Sequence, residues 1–421
     1  MNEYKIDLTT CKNSKDGSIL EKVYTFQKQL EKHEQLKYNI LKKSPLISPC
    51  DRKVVIFDRF KNQAIEALMF GSNNYLGCVT LQSAINKSIE ITQNYGIGAG
   101  GVPLLSGTTS FQNDLEAKIA KLKRTQDTIL FSSGFTANVG AIIGLLRFGD
   151  LIIHDKLNHA SLLDGSLMSG AKMIRYKHNN PESLDKILSE NYNQYAGRML
   201  VVTDGVFSMD GDIANIPAIL EIVRKYNALL LIDDAHATGV IGDKGAGTLS
   251  HFNINDRAKI IVTGTLSKSI GTVGGFITAE QPIIDYLRIY ARSNMYSTAL
   301  PPSVFASSVD VIDYIQSSDI VSRLNENSEY MRTKISSLGY DTLNSKTAII
   351  PIVVKDEYKL TKISKEFYNN GIIVNYIYPP VVSPGKSRIR ISVMATHTKQ
   401  DIDYFIEILE KINSVFNIKM D

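Results

Sequence analysis

Short apolar runs recur through the middle of the chain. Thr128 to Phe131, Leu151 to His154, Met199 to Thr203, Ala228 to Asp233, Lys259 to Thr263 and Gly275 to Thr278 show little alternation. Such runs suit strands buried on both faces of a mostly parallel sheet. Between them the spacing turns helical, as in Ile216 to Tyr226, where Ile219, Leu220 and Val223 share a face. Strands alternating with helices predict an α/β sandwich over residues 66–300.

Past residue 300 the pattern changes. Ser303 to Leu338 reads as helix, and Ala348 to Val354 and Arg388 to Val393 read as strands. Asp401 to Val415 reads as an amphipathic helix with Ile402, Phe405, Ile406, Leu409 and Ile412 on one face. A small α+β C-terminal domain over 301–421 is expected. Residues 1–65 are polar and lysine-rich and read as an N-terminal arm. Within it, Val23 to Leu41 could form a helix, ended by Ser44-Pro45 and Ser48-Pro49.

Composition narrows the class. The 421 residues are 43% apolar and 21% charged, the balance of a soluble globular protein. Net charge is +4, from 47 basic and 43 acidic side chains, which gives no argument for nucleic acid. Cys11, Cys50 and Cys78 form no CxxC pair or framework, which favours a reducing compartment such as the cytoplasm. No run approaches the roughly 18 apolar residues of a membrane span. The start lacks a signal-peptide core.

Ligands of open α/β sheets gather at the carboxyl ends of the strands. The residues after the apolar runs are Ser132-Ser-Gly-Phe, His154 to His159, Asp204 to Ser208, Asp233-Asp-Ala-His236 and Gly264-Thr-Leu-Ser-Lys268. Lys268 sits among Ser267, Ser269, Gly271, Gly274 and Gly275, small residues that let a cofactor approach the backbone. A desolvated lysine forms Schiff bases with carbonyls. Pyridoxal 5′-phosphate (PLP) needs such a lysine and an acidic partner for its pyridine nitrogen, a place Asp233 could fill. His159 and His236 lie on the same edge, one able to stack on a ring and the other to reach a phenolic oxygen. Ser132-Ser-Gly-Phe, opening a helix, suits a phosphate. A metal held by His154, Asp155, His159, Asp233 and His236 is the rival reading, but the spacings match no zinc signature, so no metal is expected. Gly96-Ile-Gly-Ala-Gly-Gly101 has the look of a dinucleotide loop, but Ile85 to Tyr95 before it reads as helix, and that loop must follow a strand.

From Phe70 onward the chain resembles the α-oxoamine synthases, which include serine palmitoyltransferase and 8-amino-7-oxononanoate synthase. The resemblance rests on Ser72-Asn-Asn-Tyr-Leu-Gly77, Ser133-Gly-Phe, Asn158-His-Ala-Ser161, Asp204 to Asp212, Asp233-Asp-Ala-His236, Gly264-Thr-Leu-Ser-Lys268, Tyr296-Ser-Thr298 and Arg388-Ile-Arg390. It implies the fold-type I PLP-dependent transferase fold, similar to aspartate aminotransferase. It implies that Lys268 holds PLP as a Schiff base and moves the α-proton. Asp233 would pair with the pyridine nitrogen, His159 would stack on the ring, and His236 and Ser208 would contact its phenolic oxygen. Gly134, Phe135 and Thr265 would hold the phosphate. Ser297 and Thr298 would reach the phosphate of a neighbouring subunit, which implies a homodimer with shared sites. Arg390, with Asn73 or Asn74, would bind the substrate carboxylate.

The implied reaction joins a small amino acid (serine, alanine or glycine) to an acyl thioester, releasing an α-amino ketone, CO₂ and thiol. The thioester would be an acyl-CoA or an acyl carrier protein. The sequence around Lys268 is similar to serine palmitoyltransferase, whereas Asp233 to Gly242 is similar to 8-amino-7-oxononanoate synthase. Tyr378 stands where several members carry arginine, and Pro103 where some carry arginine or a polar residue. An aminotransferase or aldolase activity on the same fold, or a secondary-metabolite synthase, are the alternatives.

Overall fold

The computed structural model describes residues 18–35 and 44–420. Cys11 and the stretch 36–41 of the expected N-terminal helix lie outside them; the helix itself runs from Ile19 to Gln35. In chain order the strands are β1 (Lys53–Asp58), β2 (Gln63–Met69), β3 (Asp127–Phe131), β4 (Leu151–Asp155), β5 (Lys172–Tyr176), β6 (Met199–Asp204), β7 (Leu229–Asp233), β8 (Ile260–Thr265), β9 (Gly275–Ala279), β10 (Ile349–Val353), β11 (Ile372–Ile373), β12 (Asn375–Ile377) and β13 (Arg388–Ser392).

The chain forms two compact units, Asn73–Asn325 and a second made of residues up to Ser72 with those from Glu326 onward. In the first, seven strands lie in the order β3-β9-β8-β7-β6-β4-β5. β8, β7, β6, β4 and β5 run parallel. β9 runs antiparallel to both of its neighbours. The sheet is therefore mostly parallel, in a fold-type I α/β arrangement.

The apolar runs are continuous because both faces are covered. Leu151, Ile153, Val201, Leu230, Ile232 and Val262 face one core, packed by Leu184 and Leu188 of one helix and Ile219, Leu220 and Val223 of another. Ile152, Leu200, Val202, Leu231, Ile261 and Ile277 face the other, with Ala137, Ala141, Leu162, Ile284 and Leu287. Successive residues of one strand thus enter opposite cores, as the pleat requires.

In the second unit β1 pairs antiparallel with β2, and β11 joins β2 in parallel, with Ile372 opposite Leu68. β10 and β12 flank β13. The boundaries therefore differ from those expected at residues 65 and 300. Residues 44–72 are drawn into a sheet because Val54, Ile56, Ala67 and Met69 bury a common apolar face. The expected Ser303–Leu338 helix is two helices, Pro302–Ser317 and Ile320–Ser337, parted at Ser318 and Asp319. The first belongs to the large unit. No helix among the described residues is long and apolar enough to cross a membrane. Cys50 and Cys78 are free, and burial pushes the Cys78 thiol up to about 12.

Candidate active site

β7 ends on Asp233, which lies in register between Asp204 of β6 and Thr263 of β8. Its carboxylate is 5% exposed. One oxygen accepts from Asn138 Nδ2 at 2.7 Å, the other from the Ala235 backbone N–H at 2.9 Å. A carboxylate removed from water needs such donors on both oxygens. Asn138 is itself fixed: its Oδ1 accepts the Thr263 hydroxyl at 2.6 Å, and its Nδ2 also donates to Ser161 Oγ at 2.8 Å.

Ser161 carries the network on to His159, with Oγ 2.7 Å from Nδ1. His159 caps the helix Ala160–Ser169 by accepting the Ser161 N–H. Its own N–H donates to Asp204 at 3.1 Å. The residue keeps an exposed face. Even so, the protein around the ring displaces enough water to push its pKa down, the Asp233 charge working against this and the Lys268 charge with it. Burial, reinforced by the Asp233 charge, pushes the Asp204 carboxyl well above the usual range. Lys268 thus acts electrostatically on both Asp204 and His159.

Lys268 is half-buried on the loop joining β8 to β9. Backbone bonds from Leu266 to Gly274 (2.9 Å) and from Thr272 to Leu266 (3.0 Å) close that loop. His236, 8% exposed, has Nδ1 2.8 Å from the Tyr75 hydroxyl. That hydroxyl also donates to Asn73 Oδ1 at 3.3 Å. Asn74 is buried, and its Oδ1 accepts the Val79 N–H at 3.5 Å. Ser208 is half-buried in the loop after β6.

The helix Gly134–Leu145 opens with a reciprocal cap. Ser133 Oγ accepts the Thr136 N–H, and Thr136 Oγ1 accepts the Ser133 N–H. The first-turn N–H groups of Gly134 and Phe135 have no helical acceptor and can meet an anion. Thr265 stands against this turn, its hydroxyl bonded to the Gly274 carbonyl at 2.9 Å and to Ser267 Oγ at 2.8 Å. The packing leaves no room for side chains. A Cβ on Gly134 would lie 3.0 Å from Thr265 Cβ, and one on Gly275 only 2.3 Å from the Ser133 carbonyl oxygen. The Gly275→Ala variant must therefore part β9 from the cap. It is expected to cost about 1–3 kcal/mol, read as a lower midpoint in urea with an unchanged slope. A wild-type midpoint would refute the close packing.

Ser297 and Thr298 line a cleft of their own chain with Phe131, Ser132, Ser293 and Asn294. Arg390 belongs to the other unit, where it is buried on β13 opposite Pro351 and Asn375 and donates to Ser392 Oγ at 2.9 Å.

The five side chains of the metal reading are otherwise engaged. His154 has Ser166 Oγ 2.6 Å from Nε2 and Asn158 Nδ2 3.2 Å from Nδ1, and burial pushes its pKa down to about 4. Among the described residues, three ligand-type atoms approach within 4.8 Å only at His178, Asp210 and Asp212. There the imidazole directs both nitrogens at carboxylates, Asp155 at 2.9 Å and Asp212 at 3.1 Å, so that a ring donating from both has no lone pair for a cation.

The parts played by Asn138, Ser161 and Tyr75 emerge only from the structure, although Ser161 and Tyr75 lie within motifs of the sequence. The available signal was polarity out of place: Asn138 is a buried amide between Ala137 and Val139 in an otherwise apolar helix. The Gly96 loop follows a helix, Gln82–Tyr95, and offers no Rossmann turn.

The chain is similar to known proteins in sequence and fold. Residues 65–409 fit the family model for class I and II aminotransferases. The 8-amino-7-oxononanoate synthase of Thermoanaerobacter pseudethanolicus is 41% identical over 354 residues, covering 84% of this chain and 89% of that protein. The 8-amino-7-oxononanoate synthase 1 of Bacillus subtilis is 40% identical, covering 82% and 88%. Among solved structures, a serine palmitoyltransferase of S. paucimobilis with PLP and myriocin bound superposes with a TM-score of 0.88 at 27% identity, over 96% of this chain and all of that one. The Sphingomonas wittichii serine palmitoyltransferase gives 0.89 at 28% identity, with the same coverage.

Proposed function

The chain belongs to the α-oxoamine synthase family of PLP-dependent acyltransferases, and we propose that Lys268, Asp233, His159 and His236 form its cofactor site. The reaction is a decarboxylative condensation: an amino acid and an acyl thioester give an α-amino ketone, CO₂ and free thiol. The observation that carries the site assignment is the buried Asp233 carboxylate, held by Asn138 at the strand end beside Thr263 and the Lys268 loop.

The residues suit the group. The buried Asp233 carboxylate could pair with a pyridinium nitrogen, and a capped helix turn with Thr265 could offer N–H and O–H donors to a phosphate. Bound there, PLP supplies an electrophilic aldehyde and an electron-poor ring that can hold the electron pair at an amino acid's α-carbon. The protein does the rest. Lys268 would hold the cofactor covalently, and its amine would carry the α-proton. Asp233 stabilises positive charge at the pyridine nitrogen. His159, its pKa lowered, offers a neutral ring for stacking, while His236 and Ser208 face the phenolic oxygen. Gly134, Phe135 and Thr265 hold the phosphate. Ser297 and Thr298 serve the partner's phosphate in a homodimer. Asn73 or Asn74 would receive the substrate carboxylate, the role also proposed for Arg390. The setting is cytoplasmic.

For the amino acid we propose alanine first. In an 8-amino-7-oxononanoate, the amino-bearing carbon and the terminal methyl are alanine less its carboxyl group. Tyr378, whose hydroxyl lies 3.2 Å from Thr361 Oγ1, replaces an expected arginine and leaves the acyl chain open. The test is a titration of the holoenzyme with alanine, serine and glycine, then with acyl-CoA thioesters of graded length and acyl carrier protein thioesters. One thiol and one CO₂ per amino ketone are expected. A keto acid formed without thiol release would identify an aminotransferase instead.

A further inference from the structure

Two loops beside the cofactor site are tied together by a residue outside it. β4 ends on Asp155, four positions before His159. The loop after β6 carries Ser208 and folds back on itself: Val206 bridges Ile213, Phe207 N–H donates to the Asp212 carbonyl at 3.0 Å, and Gly211 N–H to Phe207 at 2.9 Å. His178, between β5 and the helix Pro181–Tyr195, spans the gap. Its Nδ1 lies 2.9 Å from Asp155 Oδ1 and its Nε2 3.1 Å from Asp212 Oδ2. The ring meets Phe207 edge-on at 4.4 Å.

Asn179 doubles the tie. Its N–H donates to Asp155 Oδ2 at 2.7 Å, and its Nδ2 to the Ile213 carbonyl at 3.1 Å. Its φ of 48° turns the chain so that backbone and amide point to opposite loops. An ionised carboxylate only accepts hydrogen bonds, so an imidazole between two of them must donate from both nitrogens. With Asp210, whose carboxylate lies within 4.8 Å of both His178 and Asp212, the cluster then holds three anions and one cation, and among the described residues Asp212 Oδ1 has no hydrogen-bond partner. Loss of the cation would leave these carboxylates facing one small gap, with a large penalty.

We infer that His178 is a positioning residue, a standing imidazolium that clamps the His159 turn and the Ser208 loop on either side of the cofactor. The inference rests on the cofactor site proposed above. The two carboxylates lift the His178 pKa to about 10, against an ordinary 6.5, overcoming the opposing effect of burial. A raised value means that the clamp's contribution is complete below about 6.5 and is lost as pH rises through about 10. It is therefore intact across the neutral range.

The test compares the wild-type holoenzyme with His178→Gln, Asp212→Asn and the double variant. In His178→Gln the side-chain carbonyl must face one carboxylate. In the double variant it can accept from the new Asn amide while its NH₂ donates to Asp155, so pairing returns without charge. His178→Gln is expected to weaken PLP binding by about tenfold or more and to lower kcat about tenfold. The double variant should recover most of both. Independently of turnover, ¹⁵N NMR of the cofactor-free protein should show one histidine with both ring nitrogens protonated near pH 8, absent in His178→Gln. A neutral ring there, wild-type PLP affinity in His178→Gln, or no recovery in the double variant would each overturn the inference. Failure of the wild type itself to bind PLP would instead count against the proposed cofactor site.

Discussion

Lys268→Ala is expected to lower turnover by about a thousandfold or more, roughly 4 kcal/mol of transition-state stabilisation. The variant removes the amine proposed to hold the cofactor and to move the α-proton. It should leave folding alone. The loop is closed by backbone bonds among Leu266, Thr272 and Gly274, which alanine does not touch. The bound cofactor should lose the absorbance band of its lysine Schiff base, and borohydride should no longer fix it to the protein. Unchanged thermal unfolding beside lost turnover would separate chemistry from stability. Wild-type turnover in the variant would end the mechanism.

Asp233→Asn comes next, with an expected fall in kcat of about a hundredfold or more. The amide keeps the volume of the carboxylate but removes the charge proposed to face the pyridine nitrogen. It also disturbs a fixed donor: Asn138 Nδ2 still points at this position because Thr263 holds its other end. The structure adds a second readout. The Asp233 charge is one cause of the raised Asp204 carboxyl, so without it Asp204 should titrate closer to an ordinary carboxyl. The acid limb of the pH profile should move downward with it. An Asp233→Asn enzyme with native kcat would show that the charge has no part in the chemistry.

How far the sequence could foresee this follows from burial. β3, β4 and β6 to β9 were legible because both faces are covered, so their apolar runs are unbroken. β5, Lys172–Tyr176, is an edge strand with exposed positions between half-buried ones, and it blended into its surroundings. β1 and β2 bury only one face, and read in isolation they looked like part of an arm. The candidate site was legible for a different reason. Polar groups at successive strand ends are a local pattern, and the parallel order of β6, β7 and β8 brings Asp204, Asp233 and Thr263 level. What joins them was hidden. Asn138 reaches both Asp233 and Ser161 across separations that no periodicity encodes. Likewise the helix break at Ser318–Asp319 carries no proline or glycine to announce it.

The parallel pairing of β2 with β11 sets an order of assembly on the ribosome. Leu68 cannot meet Ile372 until nearly the whole chain has been made. All seven strands of the large sheet lie between them in sequence and can condense first, as domains do during synthesis. The β1–β2 ribbon must meanwhile keep one hydrogen-bonding edge open. An open edge is a template for pairing with another chain. Between the emergence of residue 69 and that of residue 372, that edge has no native strand to pair with.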